Sequence, residues 1–258
     1  MRAESLNRRQ ILSLLAGSAA LAVVGPARAG ETRIARLIGE AQRLPTVAQR
    51  IEFISRALIG TRYRGHTLIG GPRKPEQFVM RDDGFDCVTF CETVLAAALV
   101  REPDEYAAAL RQIRYRDGEI GWRERHHYFS EWGANNTAIC APVALPGSET
   151  IAKTLTEMRA LGARRTSFEA IPRESLLANK TMLATGDIIA FLSRRSDLDY
   201  FHVGFVVIDD DGDLWLRHAA RSKGRVLDQP LVRFLKRNRV HAVTLWRPRE
   251  STDDTVIV

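Results

Sequence analysis

The sequence predicts an α+β fold, with helices first and an antiparallel sheet after them. Three observations carry this. Apolar residues recur at helical spacing through the first half of the chain. From residue 187 onward, short apolar runs alternate with turn-forming residues. Asp210-Asp211-Gly212 lies between two of those runs as a hairpin turn.

The elements follow in order. Met1 to Gln10 is polar and carries Arg8 and Arg9 side by side. Ile11 to Val24 is apolar or small, and Ala27-Arg28-Ala29 closes the segment as an A-x-A cleavage signal. Residues 1–29 therefore read as an export signal peptide, and the paired arginines point to the twin-arginine route. The apolar run is too short to span a bilayer, and no later segment is long and apolar enough to do so. Residues 30–258 remain as one domain that is expected in the periplasm.

Thr32 to Leu44 reads as a helix ended by Pro45. Thr46 is an N-cap, with Gln49 completing a capping box, and Val47, Ile51, Ile54 and Leu58 follow at helical spacing. Residues 61–81, rich in Gly, Pro and basic side chains, read as loop. Asp86 to Arg101 is the strongest helix, with an apolar stripe of Val88, Cys91, Leu95, Ala98 and Leu99 and with Asp86 as N-cap. Tyr106 to Tyr115 is helical, residues 121–132 have no clear period, and Ser148 to Leu161 reads as helix. Strands are expected at Asp187–Leu192, Phe201–Asp209, Asp213–Ala220 and Val240–Trp246. A short edge strand is expected at Val226–Asp228, followed by a helical turn at Leu231–Lys236. This order places helices on one face of an antiparallel sheet.

Charge narrows the partners. The chain carries +7. The leader holds Arg2, Arg8, Arg9 and Arg28 against Glu4, which leaves +4 on the remainder. The excess is mild and scattered. It suits an anionic polymer as substrate. It gives no basic stripe interleaved with aromatics, so nucleic acid is not expected.

The three cysteines are Cys87, Cys91 and Cys140. In an exported protein, an odd cysteine is a candidate reactive thiol. Cys87 opens a helix, among unpaired N–H groups at the positive end of the dipole. That position should lower its pKa and could also hold an oxyanion. The alternative is an inert buried cysteine. Cys91 falls on the apolar stripe and reads as core. A metal or redox centre built from Cys87, Cys91, His126 and His127 does not match zinc spacings, so no metal and no cofactor is expected.

A catalytic thiol needs a base. A three-residue turn at 210–212 makes Asp209 face Asp213, so that paired residue numbers sum to 422. His218 then lies opposite Gly204 and His202 opposite Ala220, which puts both histidines on one face as diagonal neighbours. Gly204 leaves room beside them.

These residues resemble the NlpC/P60 superfamily of cell-wall cysteine peptidases, through Gly60-Thr61-Arg62-Tyr63, Asp86-Cys87, His202-Val203-Gly204 and His218-Ala219. The likeness is closer to its N-acetylmuramoyl-L-alanine amidase-like branch, once a domain of unknown function. That branch is matched by Phe85 to Thr93, by Ile113 to Gly118, by Arg125, His127, Tyr128 and Trp132, and by Gly186-Asp187-Ile188-Ile189. The similarity spans residues 50–248. Two departures stand out: Cys91 where relatives have an apolar residue, and Arg62 where proline is usual.

The resemblance implies a papain-like core with the catalytic cysteine at a helix N-terminus, packed on an antiparallel sheet. It implies Cys87 as nucleophile, His202 as base and His218 as the residue that orients it, with no metal. Tyr63 would lie near the oxyanion, and Asp86 would bind a substrate donor or cap the helix. Arg125, His127, Tyr128 and Trp132 would wall the substrate site, unless the aromatics are a packed cluster. The implied reaction is cleavage of the N-acetylmuramoyl–L-alanine amide of a peptidoglycan fragment. The superfamily more often cuts D-γ-glutamyl–diamino acid bonds. A catalytically inactive binding module of the same fold is the reading from another class.

Overall fold

A computed structural model describes residues 32–250, so the expected leader lies outside the described residues. The chain begins with helix α1 (Arg33–Ala41), whose N-cap Thr32 accepts a hydrogen bond from the Ala35 N–H. Helix α2 (Val47–Ala57) starts at the expected Thr46–Gln49 capping box. Such caps contribute about 1 kcal/mol each. The segment expected as loop contains β1 (Arg62–Tyr63) and a small hairpin of β2 (Ile69–Gly71) and β3 (Lys74–Gln77). Strand β4 (Gly84–Phe85) then leads into α3 (Cys87–Leu99).

Asp86 caps α3 as expected, with its carboxylate accepting from Thr89 N–H at 2.8 Å. The stripe reading is too narrow, however, because every residue from Thr89 to Leu99 is buried. A helix that is apolar all round belongs inside a core, and α3 lies between α2, α4 (Tyr106–Arg114) and the sheet. Helix α5 (Phe129–Asn135) follows, in the stretch that showed no period.

Strand β5 (Cys140–Val143) precedes the main departure. Residues 149–155 form strand β6 (Glu149–Leu155), not helix, paired with β7 (Arg164–Pro172) from Glu149↔Ala170 to Leu155↔Arg164. β-Branched Thr150, Ile151 and Thr154 favour the extended state, and pairing to β7 overrides any helical spacing. Short helix α6 (Arg173–Ala178) and strands β8 (Ile188–Leu192), β9 (Tyr200–Ile208) and β10 (Leu214–Ala220) come next. They lead to β11 (Arg225–Pro230), α7 (Leu231–Arg237) and β12 (Ala242–Pro248).

The sheet order is β4-β1-β11-β10-β9-β8-β12-β7-β6, with β5 also on β12. All pairings are antiparallel except β1 with β4. Strand β11 is an interior strand between β1 and β10, not the expected edge. The sheet is covered on both faces. Helices α1 to α5 pack one core, which includes Val203, Phe205 and Ala219. Helices α6 and α7 close a second core over Val206, Leu214 and Leu216. The expectation of helices on one face is corrected by these two short helices. Among the described residues, no helix is long and apolar enough to cross a membrane.

Candidate active site

The β9–β10 hairpin has the expected register. Leu214 pairs with Ile208, Trp215 with Val207, Leu216 with Val206 and Arg217 with Phe205. Asp209 N–H donates to Asp213 C=O, and Gly212 adopts φ +79° to close the turn. A Cβ on Gly204 would lie 3.0 Å from His218 Cβ and 2.8 Å from the Arg217 carbonyl oxygen. The strands therefore come this close only because residue 204 is glycine.

On this frame His202 Nε2 and His218 Nδ1 form a hydrogen bond of 2.6 Å. The rings meet edge to face at 4.8 Å. Phe234 of α7 packs on both, at 5.4 and 5.5 Å, and Phe191 stacks on His202. A bulge in β9 precedes His202: Phe191 pairs with His202 but Leu192 pairs with Tyr200, leaving Phe201 as the extra residue. Bulges re-aim side chains in this way beside many active sites. His218 is buried, and its Nε2 has no hydrogen-bond partner among the described residues. The Gln229 amide, its diagonal neighbour on β11, still raises its basicity somewhat without meeting Nε2 in hydrogen-bond geometry. Burial dominates both rings. It pushes His202 down to about 3, with help from His218, and His218 down to about 4.

Cys87 is the first residue of α3 and keeps a partly exposed surface, although its sulfur sits deep among protein atoms. Helix α3 packs on the face of the sheet opposite the two imidazoles: Phe90 meets Phe205 at 5.8 Å, whereas the imidazoles share Phe234 with the other core. Cys87 itself opens this helix. What relates its sulfur to the rings is the strand edge. Gly186 and Asp187 hydrogen-bond Val206, so the even residues of β9 bond to β8 and the odd ones turn toward β10. The β10 ladder stops at Phe205. Val203, two residues further, has its N–H outside the ladder, and that N–H acts on the Cys87 sulfur together with those of Cys87 and Val88. The thiol thus abuts the backbone one residue from His202. Among the described residues, no hydrogen bond joins thiol and imidazole.

The expected low thiol pKa is corrected. Burial, and then the Asp86 carboxylate, raise Cys87 to about 12, and the three N–H groups offset this only in part. The helix terminus acts in the expected direction, but desolvation outweighs it. Thiol and imidazoles are all neutral in the resting site. Cys91 and Cys140 are free and fully buried, as expected for Cys91.

Tyr63 is near the thiol. Its phenol is raised by burial and by the charges of Cys87 and Asp86, while Arg221 lowers it. Asp86 is engaged as the α3 cap.

The expected substrate wall is largely not there. Trp132 is 0% exposed, stacked on Phe129 at 4.6 Å and edge-on to Trp246. Tyr128 is 1% exposed, and its hydroxyl accepts from Met158 N–H. Both are core residues and cannot touch a ligand. Arg125 pairs with Glu76 at 3.0 Å, and Tyr115 OH donates to the same carboxylate, so Arg125 ties the β2–β3 hairpin down. His127 Nε2 donates to the Trp122 carbonyl at 2.6 Å, and burial above all lowers its pKa to about 4, which keeps the ring uncharged near neutral pH. Of the four, only His127 and Arg125 keep any surface.

Sequence reasoning missed Val203, Gln229 and Phe234. The first acts through its backbone, and the other two needed the β10–β11 register. Among the described residues, no group of three or more His, Cys, Asp or Glu could hold a metal ion.

A family model described as AmiA-like, N-acetylmuramoyl-L-alanine amidase-like, matches residues 53–243. Solved structures share the fold. A Legionella pneumophila protein of family DUF1460 is 20% identical with a TM-score of 0.74, covering 83% of this chain and 93% of its own. An N-acetylmuramoyl-L-alanine amidase from Bacteroides uniformis is 23% identical with a TM-score of 0.65, covering 85% of this chain and 100% of its own. A Bacteroides fragilis protein named as a candidate xylanase is 25% identical with a TM-score of 0.62, covering 75% and 98%. Among curated proteins, none matches.

Proposed function

Because the chain belongs to the AmiA-like, N-acetylmuramoyl-L-alanine amidase-like family, we propose that it is an exported cysteine amidase of the NlpC/P60 type. It cleaves the bond between N-acetylmuramic acid and L-alanine in peptidoglycan fragments, in the periplasm. The single observation that carries this is the His202–His218 hydrogen bond, set one residue from the backbone N–H that faces Cys87.

The reaction is acyl transfer. Since the resting thiol is neutral, Cys87 is activated at the moment of attack. Its proton passes to His202 as the sulfur bonds to the amide carbonyl carbon. The N–H groups of Cys87, Val88 and Val203 offer donors near the developing oxyanion. As the C–N bond breaks, the amine takes that proton. A water then gives its proton to His202 and attacks the thioester, releasing the carboxylate and restoring the thiol. His218 Nδ1, bonded to Nε2, fixes which nitrogen of His202 faces the reaction. The hydrogen bond between thiol and imidazole forms only with substrate bound, as apo sites often allow.

Mass spectrometry of digested muropeptides tests this, comparing wild type with Cys87→Ala. The expected products are the sugar with a free lactyl carboxylate and a peptide beginning with L-alanine, absent for the variant. Cleavage after the γ-linked glutamate would reassign the bond, and products from Cys87→Ala would remove the cysteine mechanism.

A further inference from the structure

Strands β1 and β11 place Arg62 directly opposite Arg225. Directly opposed residues point to the same face, and like charges in that position destabilise a sheet. Both side chains are exposed, and among the described residues neither has a carboxylate within ion-pair distance. The turn that leads into β11 adds Arg221 and Lys223, both exposed and likewise unpaired among the described residues. Arg64 nearby is compensated by Asp83.

The register shows which way this charge faces. Ala220 pairs with Arg225 and His218 with Leu227. Arg225, Leu227 and Gln229 therefore share the face of His218, and Arg225 is the diagonal neighbour of that histidine on the side away from Gln229. Val226, pointing the other way, is buried in the helix-side core, and Asp228 on that same side is occupied by Arg217. No acidic residue of β11 stands on the histidine face. Arg221 is near enough to Tyr63 to act on its phenol, and Tyr63 in turn lies near the thiol.

A pair of guanidiniums facing each other without a counter-ion suits an anion that binds both, and their planar forks match a carboxylate. We propose that Arg62 and Arg225, with Arg221 and Lys223 at the adjoining turn, form a subsite beside the His202–His218 pair for a free carboxylate of the substrate's peptide. This rests on the amidase reading for the identity of the peptide. A muropeptide stem carries such carboxylates beyond the scissile bond, and the subsite would distinguish them from carboxamides.

The test uses the full chain with Cys87→Ala, which prevents turnover. Binding of a muramyl tripeptide with free carboxylates is compared by calorimetry with that of the same peptide bearing carboxamides. The free acid should bind ~10-fold tighter, as a charge-assisted hydrogen-bonded pair allows. In Arg62→Gln/Arg225→Gln the difference should shrink to within about twofold, with the melting temperature unchanged or raised because a like-charge pair is relieved. Equal binding of the two peptides, a preference that persists in the double variant, or no binding at all would overturn the subsite. A drop in melting temperature would do the same, since it would show the arginines to be structural. Product analysis with Cys87 intact is read separately: a protein that prefers the free acid yet releases no product keeps the subsite and loses the amidase assignment.

Discussion

His202 Nε2 and His218 Nδ1 stand 2.6 Å apart across the open end of the β9–β10 ribbon, with neither ring carrying charge near neutral pH. One nitrogen of each ring is committed to the other, which leaves His202 Nδ1 for the chemistry. Replacing His202 by alanine should lower kcat by ~10²–10⁴-fold, the usual contribution of a positioned base. His218→Ala should cost less, and His218→Gln should recover part of the loss by keeping a hydrogen-bonding group. Because burial depresses both rings, kcat/KM should stay flat from pH 7 to pH 5 instead of falling near 6.5. A midpoint near 6.5 would show that the free enzyme's base is not this buried ring.

The thiol makes a separate prediction. With Cys87 raised to about 12 by burial and by Asp86, alkylation by iodoacetamide should be slow at pH 7 and keep rising through pH 10 without a plateau. Cys91 and Cys140 are fully buried, so labelling of the native protein reports Cys87. A rate already level below pH 8 would mean a standing thiolate and contradict this environment.

Much of this arrangement was legible in the sequence, and the reasons are local. The Thr46–Gln49 box, the Asp86 cap and the 210–212 turn each fix backbone geometry through neighbours within a few residues. The turn alone sets the register that brings His202 and His218 together. Other features depend on distant partners. Residues 149–155 became a strand because β7 pairs with them. Tyr128 and Trp132 look like a ligand wall in the sequence, but Trp132 packs against Phe129 and Trp246, and Tyr128 is buried with its hydroxyl taken by the Met158 N–H. The thiol's environment was misread because the helix terminus is visible in sequence and desolvation is not.

Acid should destabilise the fold well above the usual carboxylate range. His126 and His127 are held at about 4, His202 at about 3 and His218 at about 4, in each case mainly by burial, and His241 is lowered as well. Unfolded, these rings take up protons near pH 6.5; folded, the first four do so only at about 3 to 4, and His241 below its ordinary value. Unfolding therefore binds protons between those limits. Stability is fully present above 6.5 and is lost as pH falls toward the folded values. Glu92 and Glu131, raised by burial, oppose this in part. The urea midpoint should fall steadily from pH 7.5 to pH 5, and a constant midpoint would contradict the burial of the rings.

Beneath the site, Glu92 and Arg114 form a buried ion pair at 2.8 Å, and Arg114 also donates to the Val79 carbonyl. The pair links α3 to α4 and to the segment before β4. Removing one partner strands a charge in the core, so Arg114→Met alone should cost ~3–5 kcal/mol. Glu92→Leu/Arg114→Met removes both charges and should cost less than the single change. Urea unfolding of the single and double variants decides. A double variant no more stable than Arg114→Met would mean the charges act independently.

Gly204 offers the sharpest separation of site from fold. An alanine Cβ there would lie 2.8 Å from the Arg217 carbonyl oxygen, 2.8 Å from Leu216 Cδ1 and 3.0 Å from His218 Cβ. The leucine methyl can move. The carbonyl cannot, since Arg217 is held in register with Phe205 on one side and Asp228 on the other, and its guanidinium is fixed by Asp228 and Glu52. The strain must therefore part β9 from β10 at their open end, beyond the last ladder pair, where the two imidazoles bridge them. Overpacking of this kind costs ~1–3 kcal/mol of stability, which leaves a folded protein. Displacing a base by about an ångström can cost on the order of 10²-fold in rate. Gly204→Ala should thus lose kcat far beyond its loss of stability, measured at a temperature where the variant is fully folded. A variant with normal kcat would show that the spacing of His202 and His218 is not set by residue 204.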